Sequence, residues 1–378
     1  MKRILITGGA GFIGSRLANK LHTLGHAVTV LDCLSPQVHG SNPSSSELLE
    51  AAKRGGTVIV GDVTDRDVLA EALAGQDVVI HLAAETGTGQ SMYQIERYCR
   101  VNVGGTALLL DILANDPERS VKKLLVASSR SIYGEGRYLS KELGYVYPKC
   151  RTEQDLLSGR FEPTHENDIS GLTLTPTTED SKIHPSSVYG ITKHTQESLV
   201  MTVGPTIGIA PVALRYQNVY GPGQSLANPY TGILSIFSTL IRQSKRINVF
   251  EDGMESRDFI FIDDVVNATC LAALRAEADG RVLNIGSGVG TTVLEVVEEL
   301  MCAYNRRVPV DVTGNFRLGD IRHNVADITL ARNVLGFRPE VNFREGVRRF
   351  AEWVQSQEIA DGGYEASLDE MRVRKLLK

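Results

Sequence analysis

The most restrictive feature of this 378-residue sequence is a regular alternation of short apolar runs with longer amphipathic stretches. The runs are rich in valine, isoleucine and leucine, and include RILIT, AVTVLD, TVIVGD, DVVIHLAA, KKLLVASS, APVALRY, FIFID and VLNIG. Apolar runs of this length are typical of parallel strands that are buried on both faces and connected by helices. The sequence therefore predicts an α/β fold with a doubly wound parallel sheet.

Two changes in this pattern predict further structure beside the sheet. Residues 134–182 are polar and lack a clear period, so we expect a surface insertion of the kind that forms a lid or a mobile segment. We expect residues 1–222 to form the sheet domain around that insertion. Residues 223–356 should form mainly a smaller mixed α/β substrate-binding lobe, with 258–287 returning to the sheet. The polar residues 357–378 predict a loosely held tail.

Composition excludes several functional classes. The formal net charge of -5 gives no electrostatic reason to bind nucleic acid or an anionic membrane, so a small-molecule partner is expected. No apolar run reaches the length of a membrane span, and the first residues lack a signal peptide, which predicts a cytoplasmic protein. The five cysteines form no CxxC pair, and Cys150, His165 and His184 are too unevenly spaced to predict a metal site.

Two local patterns predict helices outside these runs. Ser44 and Glu47 have the spacing of a capping box before SELLEAAKR, and Gly55 is a natural helix stop. Residues 230–243 form an amphipathic stretch in the predicted lobe.

A glycine-rich loop follows the first apolar run. Gly9, Gly11 and Gly14 match GxGxxG, and Gly8 with Gly11 and Gly14 equally matches GxxGxxG. Either spacing lets the chain turn and approach a pyrophosphate at the start of a helix, as in Rossmann-like dinucleotide-binding folds. Asp32 ends the next apolar run, where its carboxylate can accept hydrogen bonds from ribose hydroxyls. The same negative charge would repel a 2′-phosphate, which favours NAD over NADP as the cofactor. The alternative for Asp32 is the capping of a turn.

A second group of polar residues predicts acid–base chemistry. Tyr189 and Lys193 form YxxxK on a predicted helix, so their side chains lie one turn apart on one face. Ser128, Ser129 and Ser131 follow the run KKLLVASS at the carboxyl edge of the sheet, where such folds bind ligands. A tyrosine needs help to ionise near neutral pH, which a nearby ammonium can supply. The alternative is a capped strand end beside a solvated helix face.

In these motifs the chain resembles the extended short-chain dehydrogenase/reductases of the nucleotide-sugar epimerase and dehydratase group. The resemblance extends over about residues 1–135 and 180–355 and includes GGAGFIG, VGDVTD, HLAA, VNVGGT, SSRSIYG, YGITK, LRYQNVYGPGQ, RDFIFIDDV and GDIRHNVAD. It implies a Rossmann-like domain with a substrate lobe, a nucleoside-diphosphate sugar as substrate, and a homodimer. The implied catalytic residues are Ser129, Tyr189 and Lys193.

The same resemblance implies two sets of binding residues. Those for the cofactor NAD are Gly8, Gly11, Phe12, Ile13, Gly14, Asp32, Asp62, Val63, Leu82, Ala83, Ala84, Asn102, Tyr189 and Lys193. Those for the substrate are Ser131, Asn218, Arg257 and Arg322, with the two arginines as cations for the diphosphate. A purely structural role is the alternative for the asparagine and the arginines.

The residues after Ser129 favour one reaction within the group. The 4,6-dehydratases of this group carry an Asp-Glu pair there, whereas this chain has Arg130 and Ser131. The acid and base for eliminating water are therefore missing, and 4-epimerisation by transient oxidation through a 4-keto sugar is expected. The alternatives left open are a UDP-hexose or UDP-N-acetylhexosamine 4-epimerase, a dehydratase or reductase, and a non-catalytic NAD-sensing protein.

Overall fold

The computed structural model describes residues 1–226, 228, 232–358 and 364–378. Its strands are β1 (Arg3–Thr7), β2 (Ala27–Asp32), β3 (Thr57–Val60), β4 (Val78–His81), β5 (Lys123–Ser129), β6 (Tyr138–Ser140), β7 (Gly144–Val146), β8 (Thr173–Leu174), β9 (Ala210–Tyr216), β10 (Asn218–Tyr220), β11 (Ile247–Val249), β12 (Ser256–Phe261), β13 (Arg281–Ile285), β14 (Gly290–Thr292), β15 (Val310–Val312) and β16 (His323–Asn324).

Its helices are α1 (Phe12–Thr23), α2 (Pro36–His39), α3 (Glu47–Gly55), α4 (Arg66–Leu73), α5 (Thr88–Ser91), α6 (Ile95–Tyr98), α7 (Gly105–Asn115), α8 (Glu153–Leu157), α9 (Val188–Thr206), α10 (Ile233–Arg242), α11 (Ile262–Leu274), α12 (Val293–Tyr304), α13 (Thr329–Leu335), α14 (Phe343–Gln355) and α15 (Tyr364–Val373). No helix in these described ranges is long and apolar enough to cross a bilayer.

Seven parallel strands form the central sheet, in the order β13-β9-β5-β4-β1-β2-β3. The strand order reverses at β1, which pairs with β2 on one side and with β4 on the other. Doubly wound sheets bind ligands outside the carboxyl ends of the strands at this switch point. The predicted Rossmann-like fold is confirmed, and the sheet places the end of β1 where a ligand site is expected.

The apolar runs are explained by burial on both faces of the sheet. Ile4 and Ile6 of β1 are fully buried in the core that contains α1 and α11, while Leu5 is fully buried in the core on the opposite face. Because successive residues of a strand point to opposite faces, a strand covered on both sides needs apolar residues at every position.

The lobe contains two small sheets. In one, β12 lies between β10 and β14 and also pairs with β16, and in the other β11 pairs with β15. Part of the segment 258–287 returns to the central domain as expected, because α11 packs against α1 and β13 is the edge strand of the central sheet. The preceding strand β12 stays in the lobe. The predicted domain boundaries remain predictions.

The predicted surface insertion at residues 134–182 is largely exposed, but it is not irregular throughout. The segment contains the antiparallel sheet β7-β6-β8, and Glu135, Tyr138 and Leu156 are buried. Thr177 is also fully buried, and its amide donates to the carbonyl of Val325 at 2.7 Å. Backbone and side-chain contacts thus fix the insertion against the lobe.

The expectation of a loose C-terminal tail is wrong for the described residues 364–378. Helix α15 buries Leu368 and Met371, and Leu377 is buried after it. Residues 359–363 of the predicted tail lie outside the described residues. The end of the chain is therefore part of the folded lobe.

The two local helix predictions have mixed outcomes. Helix α3 ends at Gly55 as predicted, but its cap is Ser46, whose hydroxyl accepts from the amide of Leu49 at 3.4 Å. The predicted capping box is wrong, because the Ser44 hydroxyl instead donates to Asn42 at 2.5 Å. Helix α10 corresponds to the amphipathic stretch, of which residues 230 and 231 lie outside the described residues.

Candidate active site

The glycines of the loop after β1 have two different roles. A Cβ on Gly8 would lie 2.8 Å from the backbone of Ala83, and one on Gly14 would lie 2.5 Å from the Cα of Gly9. These two positions exclude a side chain because backbone segments meet there. A Cβ on Gly11 would instead meet only the carbonyl oxygen of Gly8, at 3.2 Å. The missing side chain of Gly11 leaves room on the cavity side, at the N-terminus of α1.

A cavity of about 620 Å³ extends from this loop to the lobe. Most of the predicted cofactor residues line it, namely Gly8, Gly11, Phe12, Ile13, Gly14, Asp32, Asp62, Val63, Leu82, Ala83, Ala84 and Tyr189. The predicted substrate residues Ser131, Asn218 and Arg257 line it as well. One cavity thus contains most residues of both predicted sites, but Asn102, Lys193 and Arg322 do not line it. Within the described residues, no group of three or more His, Cys, Asp or Glu side chains could hold a metal.

Asp32 has the structural role considered for it, and its contact with a ribose stays a prediction. Its carboxylate accepts from the amides of Ala10 and Leu34, each at 2.9 Å, and so fixes the glycine loop and the turn after β2. It also lines the cavity, and each carboxylate oxygen has lone pairs beyond those used. His39 lies 3.8 Å away, and burial lowers the pKa of its imidazole.

Ser129 and Tyr189 meet at the carboxyl edge of the sheet. Ser129 ends β5, Tyr189 lies in the first turn of α9, and both line the cavity. Burial raises the pKa of the Tyr189 phenol above its usual value, while a hydrogen bond with Ser129 and the charge of Arg130 act in the opposite direction. The pair can therefore hold a proton beside a ligand, and Arg130 favours the ionised phenol.

Lys193 is 3% exposed, and its predicted effect on the pKa of Tyr189 stays a prediction. Its ammonium donates to the carbonyl of Ala127 at 2.9 Å, and the side chain lies outside the cavity lining. Burial lowers the pKa of Lys193 to about 7. Arg130 is a further cation near the phenol, because it directly follows Ser129 and its charge lowers the pKa of Tyr189. From the sequence alone, Arg130 indicates only that the dehydratase pair is missing.

Asn102 is a positioning residue in this structure rather than part of the cavity wall. It is fully buried on a π-helical turn between α6 and α7. Its amide accepts from the Glu85 nitrogen at 2.7 Å and donates to the Glu85 carbonyl at 3.1 Å and to Thr192 at 3.0 Å. It therefore holds the loop after β4 against α9, and the predicted direct contact with the cofactor is not supported.

Three arginines line the cavity, Arg257 and Arg317 from the lobe and Arg130 from the end of β5. Arg257 donates to the carbonyls of Ile321 and Arg322, at 2.7 and 2.9 Å, and burial lowers its pKa. Arg130 donates to Asn218 at 2.6 Å, and burial together with the charge of Arg257 lowers its pKa to about 9. Arg317 lines the same cavity. It pairs with Asp320 at 2.7 Å, and the three cations together are suited to a doubly charged diphosphate.

The assignment of Arg322 to the substrate is wrong. Its side chain is 1% exposed and donates to Glu162, Glu251 and Asp252 at 2.7 to 3.0 Å, away from the cavity lining. Those carboxylates already neutralise the guanidinium. Arg317, which the sequence reasoning missed, is the cation of this segment that lines the cavity. Arg317 and Asp320 pair at 2.7 Å and both line the cavity, but no sequence signal distinguishes Arg317 from Arg322.

The reversed sheet order, the glycine loop at the switch point and the Ser129–Tyr189 pair define an extended short-chain dehydrogenase/reductase. Residues 4–286 match the family described as the NAD dependent epimerase/dehydratase family, and the chain belongs to it. The predictions that the protein is an enzyme and that its cofactor is NAD are confirmed.

Individual relatives match nearly the whole chain. It is 37% identical over 359 residues to dTDP-L-rhamnose 4-epimerase of Burkholderia thailandensis, covering 94% of this chain and 96% of the relative. It is 30% identical over 361 residues to UDP-glucose 4-epimerase of Mycolicibacterium smegmatis, covering 94% and 99%. Among solved structures, UDP-glucose 4-epimerase of Thermotoga maritima with UDP-glucose has a TM-score of 0.74 at 29% identity, covering 93% of this chain and 98% of that one. The Thermus thermophilus UDP-glucose 4-epimerase complex with NAD has a TM-score of 0.74 at 25% identity, covering 94% and 100%.

Proposed function

We propose that this protein is a nucleotide-sugar 4-epimerase that converts dTDP-L-rhamnose to dTDP-6-deoxy-L-talose. The observation that carries the proposal is the single cavity that joins the glycine loop, the Ser129–Tyr189 pair and the lobe arginines, with no Asp-Glu pair after Ser129. The choice of sugar is supported by the 37% identity to dTDP-L-rhamnose 4-epimerase, against 30% to the UDP-glucose 4-epimerase named above.

The residues around the glycine loop fit NAD. The empty side-chain position at Gly11 and the N-terminus of α1 suit a pyrophosphate, and Asp32 suits the hydroxyls of an unphosphorylated ribose. Asp62 and Val63 would hold the adenine end. When bound, NAD supplies reversible hydride transfer at the sugar carbon.

The chain's own side chains supply the proton chemistry. Tyr189 accepts the proton of the sugar 4-hydroxyl and later returns it. The Ser129 hydroxyl orients the Tyr189 oxygen and the sugar 4-oxygen. Burial raises the pKa of the Tyr189 phenol, and the positive charge of Arg130 acts in the opposite direction by stabilising the phenolate. Lys193 holds the end of β5 in place through Ala127. Epimerisation further requires the 4-keto sugar to rotate within the site and present its other face. The cavity beside Ser131 must be wide enough for that rotation.

The lobe arginines hold the other end of the substrate. Arg257 and Arg317 bind the diphosphate, because guanidinium groups make forked contacts with phosphate oxygens. Fixing the diphosphate leaves the sugar free to rotate about the bonds that join it to the phosphate. Such a rotation is required if either face of C4 is to be turned towards the same cofactor.

The test is NMR of the products after the purified protein is incubated with catalytic NAD and dTDP-L-rhamnose, with UDP-glucose and UDP-N-acetylglucosamine as parallel substrates. We expect a C4 epimer of the dTDP sugar without net NADH. Tyr189→Phe should keep NAD binding and lower kcat by about 10³-fold. Net NADH, a dehydrated 4-keto product, or undiminished turnover by Tyr189→Phe would each contradict the proposal.

One observation favours a second substrate class, the nucleotide hexuronates. Arg130 faces the cavity beside Tyr189, and a guanidinium there could pair with a sugar carboxylate. The structure of MoeE5 in complex with UDP-glucuronic acid and NAD has a TM-score of 0.72 to this chain at 28% identity. UDP-glucuronate therefore belongs in the same NMR panel, and its faster epimerisation would replace dTDP-L-rhamnose in the proposal.

Two further expectations accompany this function. We expect a homodimer, for which size-exclusion chromatography with light scattering is the direct measurement, and a cytoplasmic location. A monomer mass at working concentration would contradict the first.

A further inference from the structure

The C-terminal residues 364–378, called here the C-terminal segment, close one side of the cavity. Tyr364, Leu368 and Met371, all on α15, line the cavity together with Ser129 and Tyr189. Leu368 is 2% exposed and Met371 is 5% exposed. Their spacing of three and four residues places them on one face of the helix, so α15 presents an apolar stripe to the cavity.

The segment is fixed to the lobe at its end. The amide of Phe316 donates to the Lys378 carbonyl at 2.9 Å, and the amide of Lys378 donates to the Phe316 carbonyl at 3.0 Å. The amide of Leu318 donates to the Leu376 carbonyl at 3.0 Å. The segment is thus joined by backbone to the stretch that carries Arg317.

A second attachment joins the segment to the cofactor-binding domain. The hydroxyl of Tyr93 donates to Glu370 at 3.0 Å, and the guanidinium of Arg374 lies 4.2 Å from the centre of the Tyr93 ring. The segment therefore spans the two sides of the cavity. None of these attachments involves the glycine loop, so the segment covers the substrate side.

The direction of α15 shows which part of a substrate it would meet. Tyr364 and Leu368 pack near Phe250, and the charge of Arg317 acts on Tyr364. At the other end, Met371 lies beside Gly89 and shares a small cavity with Ser186 and Ser187, the residues just before α9. Arg317 also lines that small cavity, so α15 lies beside this arginine at both ends and ends near the turn that carries Tyr189.

We propose that Leu368 and Met371 form an apolar wall against the substrate sugar and select a 5-methyl group over a hydroxymethyl or a carboxylate. The inference rests on the proposed function, in which the 4-hydroxyl lies at Tyr189 and the diphosphate at the arginines. A sugar held in this way extends along α15. Its C5, which carries the substituent in question, is bonded to the reacting carbon C4. An apolar wall there suits the methyl of a 6-deoxyhexose, because a hydroxymethyl or carboxylate would lose its water without gaining a partner.

The test compares three variants on the same helix. Leu368→Gln and Met371→Gln make the wall polar, and Val373→Gln is the matched control because Val373 is 84% exposed. Isothermal titration of the NAD-loaded protein would measure binding of dTDP-L-rhamnose, its 6-hydroxy counterpart dTDP-L-mannose, and dTDP alone. We expect the two wall variants to bind dTDP-L-rhamnose about tenfold more weakly and to lose most of the preference over dTDP-L-mannose. Binding of dTDP and all properties of Val373→Gln should not change.

Equal weakening of dTDP and dTDP-L-rhamnose, or no weakening of either, would overturn the proposal. Thermal denaturation, together with unchanged dTDP binding, distinguishes loss of contact with the sugar from damage to the fold. A wild-type protein that binds dTDP-L-rhamnose without epimerising it would contradict the proposed reaction, and the titrations would still decide whether the wall contacts the sugar.

Discussion

On the side of the cavity next to β1, the walls are backbone and small side chains that are close together in the sequence, whereas the lobe side is held by charged side chains from distant segments. Gly8, Gly11 and Gly14 belong to one loop. By contrast, Arg322 pairs with Glu162 across 160 positions and Arg151 pairs with Glu251 across 100. The first wall follows from a local motif, and the second depends on how the insertion and the lobe fold together.

The charged network on the lobe side is buried and has more carboxylates than arginines. Its arginines are Arg151 and Arg322, and its acids include Glu135, Glu251 and Glu255. Such a network costs desolvation, so its contribution depends on every charge keeping its partner. The comparison predicts that single changes on this side act mainly on stability, whereas changes in the glycine loop act on binding.

The largest effect is expected at Arg322. Arg322→Ala leaves Glu162, Glu251 and Asp252 without their shared cation and should lower the free energy of unfolding by about 3 to 5 kcal/mol. Arg317→Ala is the control, because that side chain faces the cavity and its loss should weaken dTDP binding with little effect on stability. Urea denaturation and titration with dTDP measure both. Wild-type stability with weak dTDP binding in Arg322→Ala would restore the original assignment.

A somewhat smaller effect separates two glycines of one loop. Gly14→Ala brings a Cβ within 2.5 Å of the Gly9 Cα and should lower the free energy of unfolding by about 3 kcal/mol. Gly11→Ala meets only the Gly8 carbonyl, so it should weaken NAD binding with an unfolding free energy within about 1 kcal/mol of wild type. Differential scanning calorimetry and NAD fluorescence titration provide the two measurements. Equal destabilisation by both would show that Gly11 is also a packing position.

Glu255 gives the lobe side a pH dependence. Burial raises the pKa of its carboxyl from 4.5 to about 7. The folded protein therefore keeps a proton that the unfolded chain releases above 4.5, so this group lowers stability as the pH rises from 4.5 to about 7. Glu255→Gln should remove that loss, worth at most about 3 kcal/mol at neutral pH, and leave stability near pH 4 unchanged. Urea denaturation from pH 4 to pH 7 would measure the free energy of unfolding of both proteins. The same pH dependence in the wild type and in Glu255→Gln would contradict the prediction.

The smallest effect concerns the cap of α3. Ser46→Ala removes the hydroxyl that accepts from the Leu49 amide, and should lower the free energy of unfolding by about 1 kcal/mol. Ser44→Ala is the matched control and should have no measurable effect, since Ser44 bonds only within its own turn. Thermal melts of the two variants suffice. A larger loss for Ser44→Ala would support the capping box that the spacing predicts.

The sheet and the cofactor wall could be predicted because their signals are local. Burial on both faces makes each strand continuously apolar, and close contacts of the backbone require glycine at Gly8 and Gly14. Those requirements act within a few residues of the chain. The sequence pattern in each short stretch is therefore enough to predict the strands and the glycine loop.

The lobe side could not be predicted in the same way. Arg317 and Arg322 lie five positions apart, and the turn between them, with Gly319 at φ 85°, decides which of them faces the cavity. The carboxylates that hold Arg322 come from other segments, such as Glu162 of the insertion. Spacing within one stretch contains no information about those partners.

The C-terminal segment was mispredicted for a related reason. Its polar composition predicts a tail, yet Leu368, Met371 and Leu377 are sufficient to bury one face of it. The partner surface includes Phe250 and the stretch around Phe316, which lie well before it in the chain. The apolar spacing on the helix was visible, but the surface that it covers was not.

The path of the backbone between the central sheet and the lobe limits how the cavity can open. The chain crosses from one to the other between β9 and β10, returns between β12 and α11, crosses again between β13 and β14, and returns once more at α13, which packs against β13. A hinge rotation of the lobe would have to change backbone dihedrals at all of these crossings together, unlike a rotation about a single linker. Entry and exit of a nucleotide sugar therefore have to depend on loops and on α15, while the sheet and the lobe keep their mutual orientation.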